Sequence, residues 1–443
     1  MPGASHPSLR GLLDPQIGRI GRIPVAAALR HVYLTVILLA AWLTLAPYTS
    51  LRPEDFEPTG AGPINYIVFG LMAGMAMILV AGRRRALVSV ATPAMIALWL
   101  WLAVNAVVSS SPAVSITRLT LVAISFALAA SLPLLAQSEA AFDRCLAVAG
   151  WTLLALCYFG VVFLPDLAIH SQYDIVEPRL AGDWRGTFGH KNSAAPVMAA
   201  LVFVGLHLAR RGRLASGLLM AACAGNFLLF TGGKTATALC LYTLLSSLLM
   251  TRLAGVRAIA AVAFLPLLAL NVISVGSVVY PALDSVLLML PVDASFTGRS
   301  DIWGFVLTAI RLRPILGYGF AAFWGEPGAA TLPVDNADAW AMEASHSHNG
   351  YLDLAVTVGL PGLLLCLVVF LYAPLKNYVR ARRLHADGSL PVLFLQIWLF
   401  GIYLASMESV FLNRVEPGWI TFLLAVMGLH YAARFPPAGL RDA

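Results

Sequence analysis

Long apolar stretches recur along the chain, and they constrain its fold more strongly than any other feature of the sequence. A helix needs about 20 mostly apolar residues to cross the hydrocarbon core of a membrane. The stretches approach this length and are continuous rather than alternating, which argues against membrane-spanning strands. We therefore predict an all-α polytopic membrane protein with about twelve transmembrane helices. The predicted spans are 31–48, 63–82, 92–109, 117–135, 145–164, 193–209, 214–231, 235–251, 258–280, 351–373, 390–407 and 417–432.

The composition supports lipid as the main solvent of this chain. Of its 443 residues, 59% are hydrophobic and only 12% are charged, whereas about one quarter of the residues are charged in soluble domains. The net charge of +7 would suggest nucleic-acid binding in a soluble protein. Here the basic residues lie between apolar spans, which membrane topology explains. We therefore expect contact with membrane lipids and no binding of nucleic acid.

The charged residues also predict an orientation. If the N-terminus is cytoplasmic and the spans alternate, the cytoplasmic segments hold 19 of the 29 basic residues and 5 of the 22 acidic residues. The positive-inside rule strongly favours this arrangement. The basic residues before the first span, with no cleavage-site pattern after it, predict an uncleaved first anchor.

The spans divide the chain into three parts. Residues 1–280 hold the first nine spans with a short outward loop at 165–192, and residues 281–350 form a long outward loop. Residues 351–443 hold the last three spans and a cytoplasmic tail. The long loop exceeds what a connection requires, and such loops are usually functional or disordered. Its aromatic content predicts packed structure, including helices along the membrane surface.

The short outward loop ends in a cluster of basic and polar side chains next to the membrane: Arg179, Arg185, His190, Lys191 and Asn192. Arg185 and Lys191 are suited to hold a diphosphate, because arginine offers phosphate oxygens a planar fork of donors. The alternative is that these side chains bind lipid headgroups. Basic residues are scarce on the outer face of this chain, which favours a bound anion.

Two further cations lie near the same face. Arg299 follows a glycine at 298 and precedes a predicted helix, where an anion is favoured. The alternative is a solvated arginine beside a plain helix cap. Lys234 directly precedes the span at 235–251, at an outer helix end, and it either joins the anion site or extends to the interface.

His346 and His348 alternate just before the span at 351–373. Such a pair can bind a metal, and the candidate third ligands are Glu343, Asp338 and Asp335. No third ligand has a fixed spacing, so we expect no metal. A neutral histidine at the membrane edge can also act as a general base. The alternative is that the histidines are interfacial and that Asn349 caps the helix.

Three stretches together resemble the O-antigen ligase and polymerase superfamily, which includes exopolysaccharide polymerisation proteins. His348-Asn349, nine residues, Gly359, two residues and Gly362 match that family's signature. The Arg-Gly-Thr-Phe-Gly-His-Lys-Asn sequence at 185–192 is similar to a family segment before a spanning helix. Residues 297–303 and 313–320 resemble a segment of the family's large periplasmic loop. The resemblance covers roughly residues 180–365. The small residues Gly359 and Gly362 would let a neighbouring helix approach.

The resemblance implies a glycosyltransferase of the bacterial inner membrane whose active face is periplasmic. Its donor would be a glycan on undecaprenyl diphosphate, and its acceptor would be lipid A–core for a ligase or another lipid-linked glycan for a polymerase. Other polysaccharide assembly proteins would be partners. The family inverts the anomeric centre without a metal or other cofactor.

The resemblance also assigns roles to residues. His348 would be the general base, and Arg185 and Arg299 would act catalytically by holding the diphosphate. Lys234 stands where many relatives have arginine, which leaves its role open. The residues predicted to bind substrate are Arg179, Lys191, Asn192, Lys234 and Asn349.

Two other classes of protein share some of these features. A transporter or flippase of lipid-linked oligosaccharide also needs many spans and anion sites, but it would place cations deep in its spans. The candidate cations here lie at outer helix ends or in outer loops, which favours chemistry at one face. The other alternative is a membrane-bound metal hydrolase that uses His346 and His348.

Overall fold

The structure is a computed structural model that describes residues 25–44, 46–49, 63–173, 178–280, 282–283, 285, 299–325, 344–385, 389–414 and 416–435. Several sequence predictions lie outside these residues. They concern the basic N-terminal segment, residues 297 and 298 before Arg299, and the acidic candidates Asp335, Asp338 and Glu343. The cytoplasmic tail after residue 435 lies outside them as well.

Within the described residues, each predicted span overlaps a long helix, the first one only in part, and one further long helix lies in the long outward loop. The helices are α1 (Val25–Trp42), α2 (Pro63–Val80), α3 (Pro93–Val107), α4 (Pro112–Leu135), α5 (Glu139–Phe163), α6 (Lys191–Arg210), α7 (Leu214–Phe230), α8 (Lys234–Arg252), α9 (Val256–Val279), α10 (Arg299–Leu312), α11 (Gly350–Leu384), α12 (Ser389–Leu404) and α13 (Pro417–Ala432). Helix α10 is the loop helix.

Six of the described helices are long and apolar enough to cross a membrane by length and composition, and five more are apolar but shorter. Helix α8, which covers the most polar of the predicted spans, falls in neither set. The prediction of an all-α polytopic membrane protein is confirmed.

Contacts between helix ends place the arginine-rich ends on one face of the bundle. Arg83, after α2, donates to carbonyls at the end of α4, and Arg382 of α11 donates to carbonyls at the end of α8. Arg211, after α6, pairs with Glu139 and Asp143 at the start of α5. All six of these helix ends were assigned to the same side by alternation of the spans. The opposite face therefore carries the outward loops.

Helix α11 is broken at Gly359, where the backbone has φ of 71° and ψ of 174°. Only glycine adopts this conformation readily, and a Cβ at this position would overlap the carbonyl oxygen of Ile315. The turn at 313–319 and α3 satisfy the backbone groups that the break frees; for example, Nε1 of Trp101 donates to the carbonyl of Val358 at 2.9 Å. The prediction that a neighbouring helix packs against Gly359 was wrong, because the backbone of the turn at 313–319 lies there.

The described part of the long outward loop is packed. Helix α10 lies against α9 and α11, and it forms a separate apolar cluster in which Trp303, Phe305 and Phe323 are buried. Trp303 also donates from Nε1 to the carbonyl of Ser347 at 2.9 Å, just before α11. This packing ties the start of α10 to the start of α11.

Candidate active site

Asn349 fixes the outer end of α11. Its Oδ1 accepts hydrogen bonds from the backbone N–H groups of Tyr351 and Leu352 at 3.0 and 3.1 Å, which makes it the N-cap. Its Nδ2 donates to Oδ1 of Asn271 in α9 and to the carbonyl of Ser406 after α12. The residue is fully buried. These contacts give Asn349 a capping role, while its predicted role in substrate binding stays a prediction.

His348 precedes this cap with a φ of 52°, a left-handed conformation that crowds the Cβ of any residue but glycine. Such backbone strain is concentrated at functional sites. The backbone N–H of His348 donates to Nδ1 of His346 at 3.3 Å, and the two rings meet edge to face with centroids 4.1 Å apart. Burial, together with the neighbouring His348, lowers the pKa of His346 to about 4. The His346 ring is therefore neutral near pH 7.

Glu408, in the loop after α12, joins His348 to Arg299. Its Oε2 accepts from Nδ1 of His348 at 3.1 Å, and its Oε1 pairs with Arg299 at 2.9 Å. Arg299, the first residue of α10, also donates to the carbonyl of Met407 at 2.6 Å. Burial opposes ionisation of Glu408, but the hydrogen bond from His348 and the charge of Arg299 outweigh burial and lower its pKa. The carboxylate is therefore ionised near neutral pH.

This arrangement selects the basic nitrogen of His348. An ionised carboxylate only accepts hydrogen bonds, so Nδ1 of His348 donates, and the lone pair of the neutral ring then lies on Nε2. The side chain of His348 is 28% exposed, which leaves it within reach of a substrate. A carboxylate behind a histidine also stabilises the imidazolium that forms when the ring accepts a proton. The group has the chemistry of a general base.

Arg185 lies in the loop before α6. This loop contacts the outer ends of α1 and α5. Its Nε donates to the carbonyl of Leu167 at 2.9 Å. The backbone N–H groups of Arg185 and Gly186 both donate to the carbonyl of Ala168 at 2.9 Å, and Tyr48 donates to the carbonyl of Gly186 at 3.3 Å. These hydrogen bonds fix the backbone from which the guanidinium extends.

Lys191 and Asn192 begin α6. The Nζ of Lys191 pairs with Asp183 at 2.6 Å, and both side chains are mostly buried. His190 caps the helix by accepting a hydrogen bond from the backbone N–H of Asn192 at 3.1 Å. The remaining residues that the sequence predicts to bind substrate are exposed: Arg179 and Lys234.

The structure thus places four of the predicted residues in two groups on the face opposite the arginine-rich helix ends. The first group consists of His348 and Arg299, which Glu408 connects. The second consists of Arg185 and Lys191 with their loop. Each group combines an arginine with a second titratable side chain.

Glu408, which connects the first group, was not among the residues predicted from the sequence. A usable signal was present, because Glu408 directly follows the predicted span at 390–407 and lies on the outer face. A lone carboxylate at an outer helix end is a candidate partner for a histidine or arginine on the same face. Its partner was not predictable, because 60 residues separate Glu408 from His348.

Within the part of the chain that the structure describes, no three or more His, Cys, Asp or Glu side chains are grouped so that they could hold a metal ion. The three acidic residues considered as ligands beside His346 and His348 lie outside that part.

Part of the chain matches a known protein family. Residues 192–367 match the family model described as O-antigen ligase, and the matched segment contains Arg299, His348 and both signature glycines. This segment of the chain is therefore similar to the O-antigen ligase family. Glu408 lies beyond the matched segment and contacts it through the ion pair with Arg299.

Several curated proteins are similar to parts of the chain. A Rickettsia felis protein that carries the name polysaccharide ligase is 30% identical over 182 residues, which is 36% of this chain and 44% of that protein. The ComP-specific O-oligosaccharyltransferase of Acinetobacter baylyi is 34% identical over 88 residues, or 18% of this chain and 15% of that protein. A Rickettsia conorii protein, also named a polysaccharide ligase, is 32% identical over 115 residues, which is 28% of its length. The chain spans less than half the length of these relatives.

Proposed function

We propose that this protein is a membrane glycosyltransferase of the O-antigen ligase type that uses glycan linked to undecaprenyl diphosphate. It would transfer or polymerise that glycan at the periplasmic face of the inner membrane during biosynthesis of a surface polysaccharide. The observation that carries the proposal is the Arg299–Glu408–His348 arrangement, which holds a general base beside a cation at the start of α11. The family match across the segment that contains Arg299 and His348 supports it.

The proposed reaction uses His348 as the base. Its Nε2 accepts the proton of an acceptor hydroxyl, whose oxygen attacks the anomeric carbon while undecaprenyl diphosphate leaves with the bonding electrons. A single displacement of this kind inverts the anomeric centre. Arg185 and Arg299, with Lys191, would stabilise the negative charge on the leaving diphosphate. The proposal requires no metal, because these cations supply the charge.

The distribution of cations supports a transferase over a flippase of lipid-linked oligosaccharide. A flippase would place cations deep in its spans, along the pathway of the charged lipid headgroup. Among the described residues, the fully buried polar and charged set contains no lysine or arginine. The cations of the candidate site lie at helix ends and in loops on one face.

The names of the relatives bear on the acceptor. The two Rickettsia proteins are named as ligases, and the Acinetobacter baylyi protein is named as an O-oligosaccharyltransferase. By analogy we propose transfer of a preassembled glycan to an acceptor, with polymerisation as the second possibility. Deletion of the gene discriminates these, because a ligase mutant loses an attached polymer and a polymerase mutant retains a single repeat.

The direct test measures release of undecaprenyl diphosphate by purified protein that receives a lipid-linked glycan and a candidate acceptor. His348→Ala should reduce release by about 10²–10⁴-fold, the usual contribution of a general base. His346→Ala should have a milder effect than His348→Ala, because His346 contacts the backbone of His348 rather than the reacting atoms. If the intact lipid-linked glycan moved across vesicle membranes without release of undecaprenyl diphosphate, the protein would be a flippase instead. Loss of activity with a chelator and its return with zinc would favour the metal-hydrolase alternative.

A further inference from the structure

Asp353 lies in the first turn of α11, one turn after His348, and its carboxylate accepts three hydrogen bonds. Its Oδ1 accepts from Nε1 of Trp324 at 2.9 Å and from the backbone N–H of Ser347 at 3.0 Å. Its Oδ2 accepts from Oγ of Ser409. An acidic residue in the first helical turn is common, because it complements the helix dipole. Three partners from three separate segments exceed what that purpose requires.

Two of those partners are the immediate chain neighbours of the proposed catalytic pair. Ser347 directly precedes His348, and Ser409 directly follows Glu408. Asp353 therefore connects the peptide that presents the base to the loop that presents the carboxylate behind the base. The third partner, Trp324, anchors the described end of the long outward loop to the same point.

The backbone at His348 needs this restraint. A φ of 52° is unfavourable for histidine and persists only where the surroundings impose it. The N–H of Ser347 is held by Asp353, and the N–H of His348 is held by His346. Consecutive peptide groups are thus fixed by two side chains, and the imidazole is aimed at Glu408.

We propose that Asp353 is a positioning residue that sets the alignment of His348 with Glu408 by joining their two backbone segments. The inference rests on the proposed function, since it concerns the same base. Asp353 acts through the 3.1 Å hydrogen bond between His348 and Glu408 and does not itself contact substrate. Removing it lets the two segments separate, so that the base loses its orientation while the cations that bind diphosphate remain.

The first measurement is steady-state kinetics of undecaprenyl diphosphate release. Asp353→Ala should lower kcat by about 10²-fold, the cost of a displacement of about 1 Å in a reacting group, and leave the KM for the lipid-linked donor unchanged. Asp353→Asn should recover most of kcat, because its Oδ1 still accepts from Trp324 and Ser347, while its amide can donate to Ser409. Asp301→Ala is the matched control, since Asp301 is an exposed acid in the first turn of α10 and should retain wild-type kcat.

The deciding measurement is a double-mutant cycle with Glu408→Gln. If Asp353 acts through the alignment of Glu408 with His348, Asp353→Ala should cause little further loss in a protein that already carries Glu408→Gln. A residue that only stabilises α11 would lower kcat by the same factor in both backgrounds. That additive result, or wild-type kcat in Asp353→Ala, would overturn the inference.

Two further variants keep the test valid if Asp353→Ala does not fold. Ser409→Ala and Trp324→Phe each remove one hydrogen bond to Asp353 and leave its charge in place. Each should lower kcat in the wild-type background and have little effect beside Glu408→Gln. Wild-type kcat in both variants would refute the role of Asp353. A wild-type protein that releases no undecaprenyl diphosphate from any acceptor would refute the proposed function itself, which separates the two failures.

Discussion

At the residue scale, the first prediction concerns Glu408, where replacing one carboxylate oxygen by an amide nitrogen should impair catalysis. Glu408→Gln preserves the size of the side chain but replaces an obligate acceptor with a group that can also donate. We expect transfer to fall by about 10²-fold, because the glutamine neither fixes the tautomer of His348 nor stabilises its protonated form. The kinetics of undecaprenyl diphosphate release measure this effect. The control is Glu416→Gln, which makes the same change at an exposed site just before α13. Equal activity in the two variants would remove Glu408 from the mechanism.

Arg185 is the residue on which the diphosphate-binding proposal depends most. Arg185→Ala should lose activity while the protein still inserts and accumulates, because the leaving diphosphate needs paired charge in a site of low dielectric constant. Arg185→Lys should recover activity only in part, since lysine lacks the planar fork. Arg311→Ala, at an exposed position near the end of α10, serves as the control. Activity per protein molecule is measured in membranes that contain matched amounts of each variant. Wild-type activity in Arg185→Ala would contradict the role of Arg185 in binding diphosphate.

The depressed pKa of His346 predicts a dependence of stability on pH. Between about pH 6.5 and pH 4, the unfolded chain binds a proton at His346 that the folded protein excludes. The free energy of unfolding should therefore fall as the pH falls through this window, and the lowered pKa of Glu408 adds a further loss below about pH 4.5. His346→Gln should flatten the dependence between pH 6.5 and pH 4.5. Thermal unfolding of the two proteins in detergent measures this, and parallel curves would contradict it.

At the scale of elements, the break in α11 is the feature most exposed to mutation. Gly359→Ala places a Cβ against the carbonyl of Ile315 and forces alanine into a positive φ. The backbone strain alone costs about 1–3 kcal/mol, and the overlap adds to it. We expect a lower thermal unfolding temperature and lower accumulation. The outer half of α11, which carries the cap and the proposed base, should lose its contact with the turn at 313–319.

Two other glycines calibrate that experiment. Gly362→Ala should have an intermediate effect, because its Cβ would meet side-chain atoms of Trp101 and Val358 that are able to shift. Gly74→Ala, in α2, should be neutral, because no atom lies within 4 Å of the added Cβ. If all three variants had the same unfolding temperature, the break would not be structurally important.

At the scale of the whole molecule, the charge count predicts which face is periplasmic. The contacts between helix ends separate two faces of the bundle, and we expect the arginine-rich face to be cytoplasmic. In a protein without native cysteines, Ser345→Cys should react with a membrane-impermeant thiol reagent in cells whose outer membrane is permeable to it. Ala386→Cys should react only after the inner membrane is opened. Reaction of Ala386→Cys in intact cells would invert the topology.

The helices of this protein could be predicted from the sequence because hydrophobic length is a local property. In a bilayer each span must satisfy its own backbone hydrogen bonds, so about 20 apolar residues determine a helix without reference to other segments. All twelve predicted spans overlap described helices, although the first helix begins and ends six residues before the predicted limits of 31–48. His348 and Arg299 were selected because the short, contiguous motifs that contain them resemble those of a known family.

Only the tertiary structure decided what those residues contact. The hydrogen bond between His348 and Glu408 joins residues 60 positions apart, and the pair of Arg299 with Glu408 spans 109 positions. Neither hydropathy nor spacing carries information on such pairs, because they depend on how α10, α11 and α12 pack together. The sequence determined which segments form long apolar helices, because apolar length is local, and its short motifs indicated the candidate side chains. The fold alone decided which carboxylate lies behind which histidine, because that choice depends on contacts between segments that are distant in the chain.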